Sequence, residues 1–227
     1  MYHSFNHIGI ILSSTYRSVL YLKILIKNKI SLTNIILLKD RNEKLLNKQI
    51  IRLIKKNNSK LKIKIFFIKN INNNKVTQFI KKQKEKLIII SLYPGSNGIV
   101  KNKELLKKKN LLHSHPGKLP KYKGSTTIYY SLLKEKKIWC DSFFLNDKID
   151  QGKVIYSKQY PIPNNIYSIE KKYDSEIRSQ NLIETLNILK KKLIFIKYKK
   201  YSKEIILNYY IMHPILRFIT FKKFKNV

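Results

Sequence analysis

From its first residues the chain alternates short apolar runs with segments of helical period. Ile8–Leu12 reads as a buried strand, and Ser13-Ser14-Thr15 offers hydroxyls to cap a helix over Tyr16–Lys27. Asn34–Leu38 is a second strand, after which Leu46, Ile50, Leu53 and Ile54 recur at the spacing of one helix face. Ile63–Ile68, a helix over about Lys75–Lys84, and Leu87–Leu92 continue the alternation. Strands that alternate with amphipathic helices imply βαβ crossovers and a parallel α/β sheet. Leu111–Leu112 can add one short strand, delivering His113 and His115 to the C-terminal edge where such a sheet places its ligand crevice.

Further along, Gly124-Ser125-Thr126 opens a helix through about Lys134. Ile138–Leu145 and Lys153–Gln159 are β-rich and flank Asp150-Gln151-Gly152, so Asp150 is expected on a turn between strands. Pro161 and Pro163 close that section, and Ser168–Lys192 reads as one long helix. Within it Asp174 and Arg178 form an i,i+4 pair, expected to be a surface ion pair worth a few tenths of a kcal/mol. The expected division is one domain over residues 1–197 and a basic, aromatic tail over 198–227, with a short helical segment at the C-terminus. The apolar stretch Tyr209–Ile219 could lie on an anionic membrane surface. Packing on the domain is the favoured reading, with His213 structural.

The formal charge of +35 suggests a nucleic-acid binder. Against that, lysine supplies 43 of the 48 basic residues and arginine only 5. A phosphate- or base-reading surface would favour the planar fork of arginine. The lysines are spread over every segment and accompany abundant Asn, Ile, Tyr and Phe, as in A/T-rich coding. The reading is therefore no specific nucleic-acid site, with a residual attraction for anionic substrates at low salt. Cys140 is the sole cysteine, which excludes a disulfide framework and a cysteine-based zinc site. Met1–Leu12 lacks the charged start and the length of a signal peptide, and no window approaches the ~20 apolar residues of a membrane span. The cytoplasm is the expected location. The sequence carries no signal for a particular oligomeric state.

The chemistry is concentrated in His113-Ser114-His115-Pro116-Gly117-Lys118-Leu119-Pro120-Lys121-Tyr122-Lys123-Gly124, followed by Asp150-Gln151-Gly152. A histidine near neutral pKa suits proton transfer, and a carboxylate can orient it and raise its basicity. The prolines and glycine restrict the backbone around His115. The same residues admit a metal reading, His-x-His plus Asp, since alternate strand residues share a face. The surrounding Pro-Gly-Lys-Leu-Pro gives a metal no rationale, so no metal is expected. No Gly-x-Gly-x-x-Gly follows the first strand, which removes support for dinucleotide binding.

These segments resemble the 10-formyltetrahydrofolate-dependent formyltransferases, which carry Asn-x-His-Pro-x-x-Leu-Pro-x-Tyr-Arg-Gly and later Asp-x-Gly. The resemblance covers roughly Ile8–Ile162 and is strongest over His113–Gly152. It implies the formyltransferase fold, a Rossmann-like, mostly parallel α/β sheet with helices on both faces, with 10-formyltetrahydrofolate as formyl donor and a primary amine as acceptor. It makes His115 the catalytic histidine and Asp150 the catalytic aspartate. His113 stands where the family has the asparagine that polarises the formyl oxygen; an imidazole N–H can replace it, or the site can be a weakened one. The resemblance also assigns Asn97-Gly98-Ile99 and Leu145-Asn146-Asp147 to the walls of the pteridine pocket, although Asn97–Ile99 also reads as an ordinary loop. The length favours the sugar-nucleotide N-formyltransferases or small stand-alone members, with a small, anionic aminosugar nucleotide as acceptor. Glycinamide ribonucleotide and methionyl-tRNA remain alternatives, as does a formyltransferase-like protein that binds without turnover.

Overall fold

The computed structural model describes residues 7–38, 44–61, 64–92, 99–191 and 208–224. The chain divides into two compact units, one of residues 1–113 with 187–193 and one of residues 114–186 with 194–227. The fold is a mostly parallel seven-stranded α/β sheet with helices, ending in a short C-terminal helix.

The first unit holds β1 (Ile8–Ser13), α1 (Tyr16–Lys27), β2 (Leu32–Leu38), α2 (Lys44–Leu61), β3 (Lys64–Ile68), α3 (Asn74–Lys82), β4 (Leu87–Ser91) and α4 (Lys103–Lys108). β1 lies between β2 and β4, with β3 beyond β2, and all these pairs are parallel. Every residue of β1 and β4 is buried, as expected of parallel strands covered on both faces. Thr15 caps α1 by accepting the Ser18 N–H, as the hydroxyl run predicted. α4 was not expected; Asn102 caps it by accepting the Leu105 N–H. Below the strands, Glu85 accepts from Thr33 and Asn34, and the Lys109 ammonium donates to the Gln83 and Glu85 carbonyls. Burial pushes the Lys109 pKa down.

β5 (Asn110–His115) pairs parallel with β4 and carries the chain into the second unit. There follow β6 (Lys123–Gly124), α5 (Thr127–Glu135), β7 (Ile138–Phe144), β8 (Val154–Tyr160), α6 (Asp174–Lys190), β9 (Asn208–Tyr209) and α7 (Pro214–Lys223). β7 and β8 are antiparallel, and the sheet order is β3-β2-β1-β4-β5-β7-β8. β6 and β9 form a separate two-residue pair. The long helix expected over Ser168–Lys192 begins instead with a π-helical turn, Ile169–Tyr173. Ile166, Ile169 and Ile177 all enter one apolar cluster. Ile128, Tyr129 and Leu132 of α5 join that cluster, as do Met212, Phe221 and Phe224 from the end of the chain.

Candidate active site

β5 delivers His115 at its last residue, and the residue before it is fixed by a buried chain of hydrogen bonds. Asn181 donates to the Cys140 carbonyl (2.9 Å), Ser142 donates to Asn181 Oδ1 (2.5 Å), and the Ser114 and Ser142 hydroxyls lie 2.8 Å apart. Since Ser142 already donates to Asn181, Ser114 is the donor to Ser142.

His115 is 3% exposed. Its Nε2 lies 2.7 Å from the Tyr122 carbonyl and 3.2 Å from Thr127 Oγ1, while Thr127 donates its own proton to the Pro116 carbonyl at 2.9 Å. A carbonyl only accepts, so Nε2 carries the hydrogen. In the neutral ring Nδ1 is therefore the basic nitrogen, and it faces Asp150 Oδ2 at 3.6 Å. Gly117 makes this arrangement possible. A Cβ there would sit 2.8 Å from the Tyr122 carbonyl oxygen and 3.0 Å from His115 Nε2.

Asp150 occupies the turn between β7 and β8, in the left-handed region at φ 49°. Two residues on, a Cβ at Gly152 would lie 1.6 Å from the Phe144 carbonyl oxygen, so the turn admits only glycine. The Asp-x-Gly spacing is thus a backbone requirement of the turn that presents the carboxylate. The Gly124 N–H donates to Asp150 Oδ2 at 2.8 Å. Asn146 closes the same turn from within, accepting the Lys148 N–H and donating to the Gln151 carbonyl.

Burial holds the His115 pKa below its ordinary value; Asp150 opposes that shift and the Arg178 guanidinium reinforces it. At neutral pH the ring is uncharged and can take up a proton at Nδ1, beside the carboxylate that would stabilise the imidazolium. Arg178 is not the surface partner expected from its i,i+4 spacing. Its side chain is 13% exposed, its Nε is 3.0 Å from Asp174 Oδ1, and it donates to the Ser114 carbonyl at 3.2 Å. Asp141, buried on β7, accepts the Leu119 N–H at 2.8 Å and anchors the loop that carries the Tyr122 carbonyl. Burial pushes its carboxyl up to about 6, against the opposing pull of Ser157, the Leu119 N–H and Lys118.

The second unit thus brings together His115 and Asp150, with Leu145–Asp147 leading into the same turn; Leu145 is half-buried, Asn146 and Asp147 exposed. His113 and Ile99 belong to the first unit, and Asn97 and Gly98 lie outside the described residues. His113 Nδ1 is 3.4 Å from the Ile90 carbonyl, which places the hydrogen of a neutral ring on Nδ1. Asn72 donates to the Ile99 carbonyl at 2.7 Å. The sequence did not reveal the roles of Tyr122, Thr127, Asp141 and the Gly124 N–H; the residue-type trace of the Tyr122 contact is Gly117, wedged between His115 and Tyr122. Among the described residues, no group of three or more His, Cys, Asp or Glu is arranged to hold a metal.

Similar folds recur among solved structures. Glycinamide ribonucleotide transformylase 1 from Symbiobacterium toebii matches with a TM-score of 0.63 at 14% identity, covering 85% of this chain and 91% of that one. A sugar N-formyltransferase from Shewanella sp. matches with a TM-score of 0.57 at 19% identity, over 86% of this chain and 75% of that one. A formyltetrahydrofolate deformylase from Pseudomonas syringae pv. tomato matches with a TM-score of 0.61 at 12% identity, over 85% and 63%. The fold is that of the formyltransferases. In sequence, a methionyl-tRNA formyltransferase of Finegoldia magna is 30% identical over 115 residues, 50% of this chain. The match spans 36% of that protein's length. No protein-family model matches the chain. The fold similarity and the sequence match over half of this chain both fall on proteins of the kind that His113–Gly152 resembles.

Proposed function

We propose that the protein transfers a formyl group from 10-formyltetrahydrofolate to the primary amine of a small anionic acceptor, an aminosugar nucleotide being favoured. The observation that carries this reading is His115 itself: a buried imidazole whose Nε2–H is committed to the Tyr122 carbonyl, leaving Nδ1 toward Asp150. The amine lone pair attacks the formyl carbon and the carbonyl electrons move onto oxygen. As the tetrahedral intermediate forms, the amine proton passes to His115 Nδ1, and Asp150 stabilises the resulting imidazolium. The proton then goes to the departing folate nitrogen as the C–N bond breaks. Groups of this kind contribute ~10²–10⁴-fold.

On this reading the family resemblance gives His113 the oxyanion and gives Leu145–Asp147 contact with the pteridine; it assigns Asn97, Gly98 and Ile99 to the pteridine as well, Asn97 and Gly98 lying outside the described residues. Asn146 spends its side chain on the turn, so backbone groups would meet the pteridine there. The catalytic domain extends over residues 1–197, the tail over 198–227, and the reaction belongs to the cytoplasm. The charge of +35 favours an anionic acceptor; glycinamide ribonucleotide and methionyl-tRNA are the alternatives.

One observation favours a second reading, a binding protein with weakened turnover. With Nδ1–H given to Ile90, a neutral His113 has no hydrogen on Nε2, so only the cation can donate to an oxyanion from that nitrogen. The deciding assay follows folate product formation with the purified protein, 10-formyltetrahydrofolate and a panel of amines. Acceptor-dependent product supports transfer. Donor binding by calorimetry without turnover selects the second reading, and folded protein that binds no folate refutes both.

A further inference from the structure

The end of the chain presents an apolar face that the site does not use. Met212, Phe221 and Phe224 are buried in the cluster around Tyr129 and Ile177, while Thr220 is fully buried on the same side of α7. His213 caps α7 by accepting the Ile215 N–H, and Arg217 pairs with Glu170 at 3.0 Å. The helix is therefore held firmly to the second unit. Its opposite face carries Ile215, Phe218 and Ile219, exposed by 64%, 62% and 49%, at positions that adjoin on a helix. Tyr210 and Ile211, just before it, are 79% and 78% exposed. Lys222 and Lys223 are exposed at its C-terminal end, and Lys171 and Lys172 are exposed on the turn that Glu170 ties to Arg217. Other exposed large apolar side chains among the described residues are spread along the chain, so this concentration of five in ten residues stands apart.

We infer that α7 and the segment before it form a docking face for an anionic lipid bilayer. Isoleucine and phenylalanine would enter the acyl boundary, tyrosine would sit at headgroup level, and the lysines would meet anionic headgroups. Charge selects this occupant over a second copy of the chain: at +35 two copies repel, whereas an anionic bilayer attracts. The contact is peripheral, since no helix of the described residues is long and apolar enough to cross a membrane. The inference rests on this surface alone and is independent of formyl transfer.

The test is flotation of the full-length protein with vesicles of phosphatidylcholine alone, or of two parts phosphatidylcholine to one part phosphatidylglycerol, near physiological salt. The expected result is binding to the anionic vesicles only. Binding should weaken about tenfold in both the double variant Ile215→Glu, Phe218→Glu and the double variant Lys222→Glu, Lys223→Glu, with thermal unfolding unchanged. Phe218→Trp should bind like the wild type and shift its emission to the blue on anionic vesicles. Absence of binding would overturn the inference, as would binding that survives Ile215→Glu, Phe218→Glu. Sedimentation equilibrium showing a dimer that the same variant dissociates would assign the face to a second copy instead.

Discussion

Asp141→Asn should stabilise the protein at neutral pH, by an amount the buried carboxyl determines. The aspartate is 1% exposed and its pKa is raised from 3.8 to about 6, burial outweighing the groups that favour its charge. Asparagine resembles the protonated acid and can still accept the Leu119 N–H, but it has no charge to bury. A folded-state pKa above the unfolded one means that the native protein binds more protons between those values. The aspartate protein therefore loses stability as pH rises from about 4 to about 6, and the loss is complete above the folded pKa. At 1.36 kcal/mol per unit, a shift of about two units corresponds to roughly 3 kcal/mol, an upper figure because the new amide hydrogens also need acceptors.

Urea unfolding of both proteins from pH 4 to pH 8 measures this directly. The difference should be near zero at the acid end, grow through pH 4–6 and stay constant beyond. Asp141→Ala separates the charge from the anchor. It removes the acceptor for a buried N–H, which costs roughly 1–3 kcal/mol, and it loosens the loop that brings the Tyr122 carbonyl to His115. Asp141→Asn should keep formyl transfer, whereas Asp141→Ala should lower it. A pH-independent difference between Asp141→Asn and the wild type, or a destabilised Asp141→Asn at pH 8, would refute the argument.

Three further outcomes follow from the same geometry. His115→Ala should lower formyl transfer by ~10²–10⁴-fold, while His113→Asn should keep or raise it, because an amide donates a hydrogen bond without depending on a ring tautomer; kcat for both variants checks this. Arg178→Met removes a cation that lowers the His115 pKa, so the acid limb of kcat against pH, where Nδ1 is protonated, should move to higher pH, and the His115 ring resonances should titrate at higher pH by NMR. Gly152→Ala drives a Cβ to 1.6 Å from the Phe144 carbonyl and must open the turn that holds Asp150, so it should cost both activity and several degrees of Tm, measured by calorimetry.

Apart from α4, the strands and helices of the first unit were legible because their signals are local. A run of four apolar residues such as Leu87–Ile90 declares a strand buried on both faces, and Thr15 is its helix's own cap. The two-residue pairing of Lys123-Gly124 with Asn208-Tyr209 has no such signal: it joins segments more than eighty residues apart, and neither is apolar or alternating. The π-helical turn over Ile169–Tyr173 was invisible for a related reason, since the same residues read equally well as the first turn of a regular helix.

At the candidate site the division falls between side chains and backbone. His115 and Asp150 could be named because their chemistry lies in their residue types. The groups that give them their state are the Tyr122 carbonyl, the Gly124 N–H and the Ser114 carbonyl that Arg178 reaches, and every residue possesses such groups. What a sequence does record of a backbone contact is the side chain it forbids. Gly117 has no Cβ because one would crowd both His115 Nε2 and the Tyr122 carbonyl, and Gly152 has none because the Phe144 carbonyl occupies that space. The glycines of the motif are thus the sequence-level trace of the hydrogen bond that decides which imidazole nitrogen is basic and of the turn that places the carboxylate opposite it. Asn146 shows the converse: its residue type is plain in the sequence, and only the turn geometry reveals that both ends of its amide serve Lys148 and Gln151.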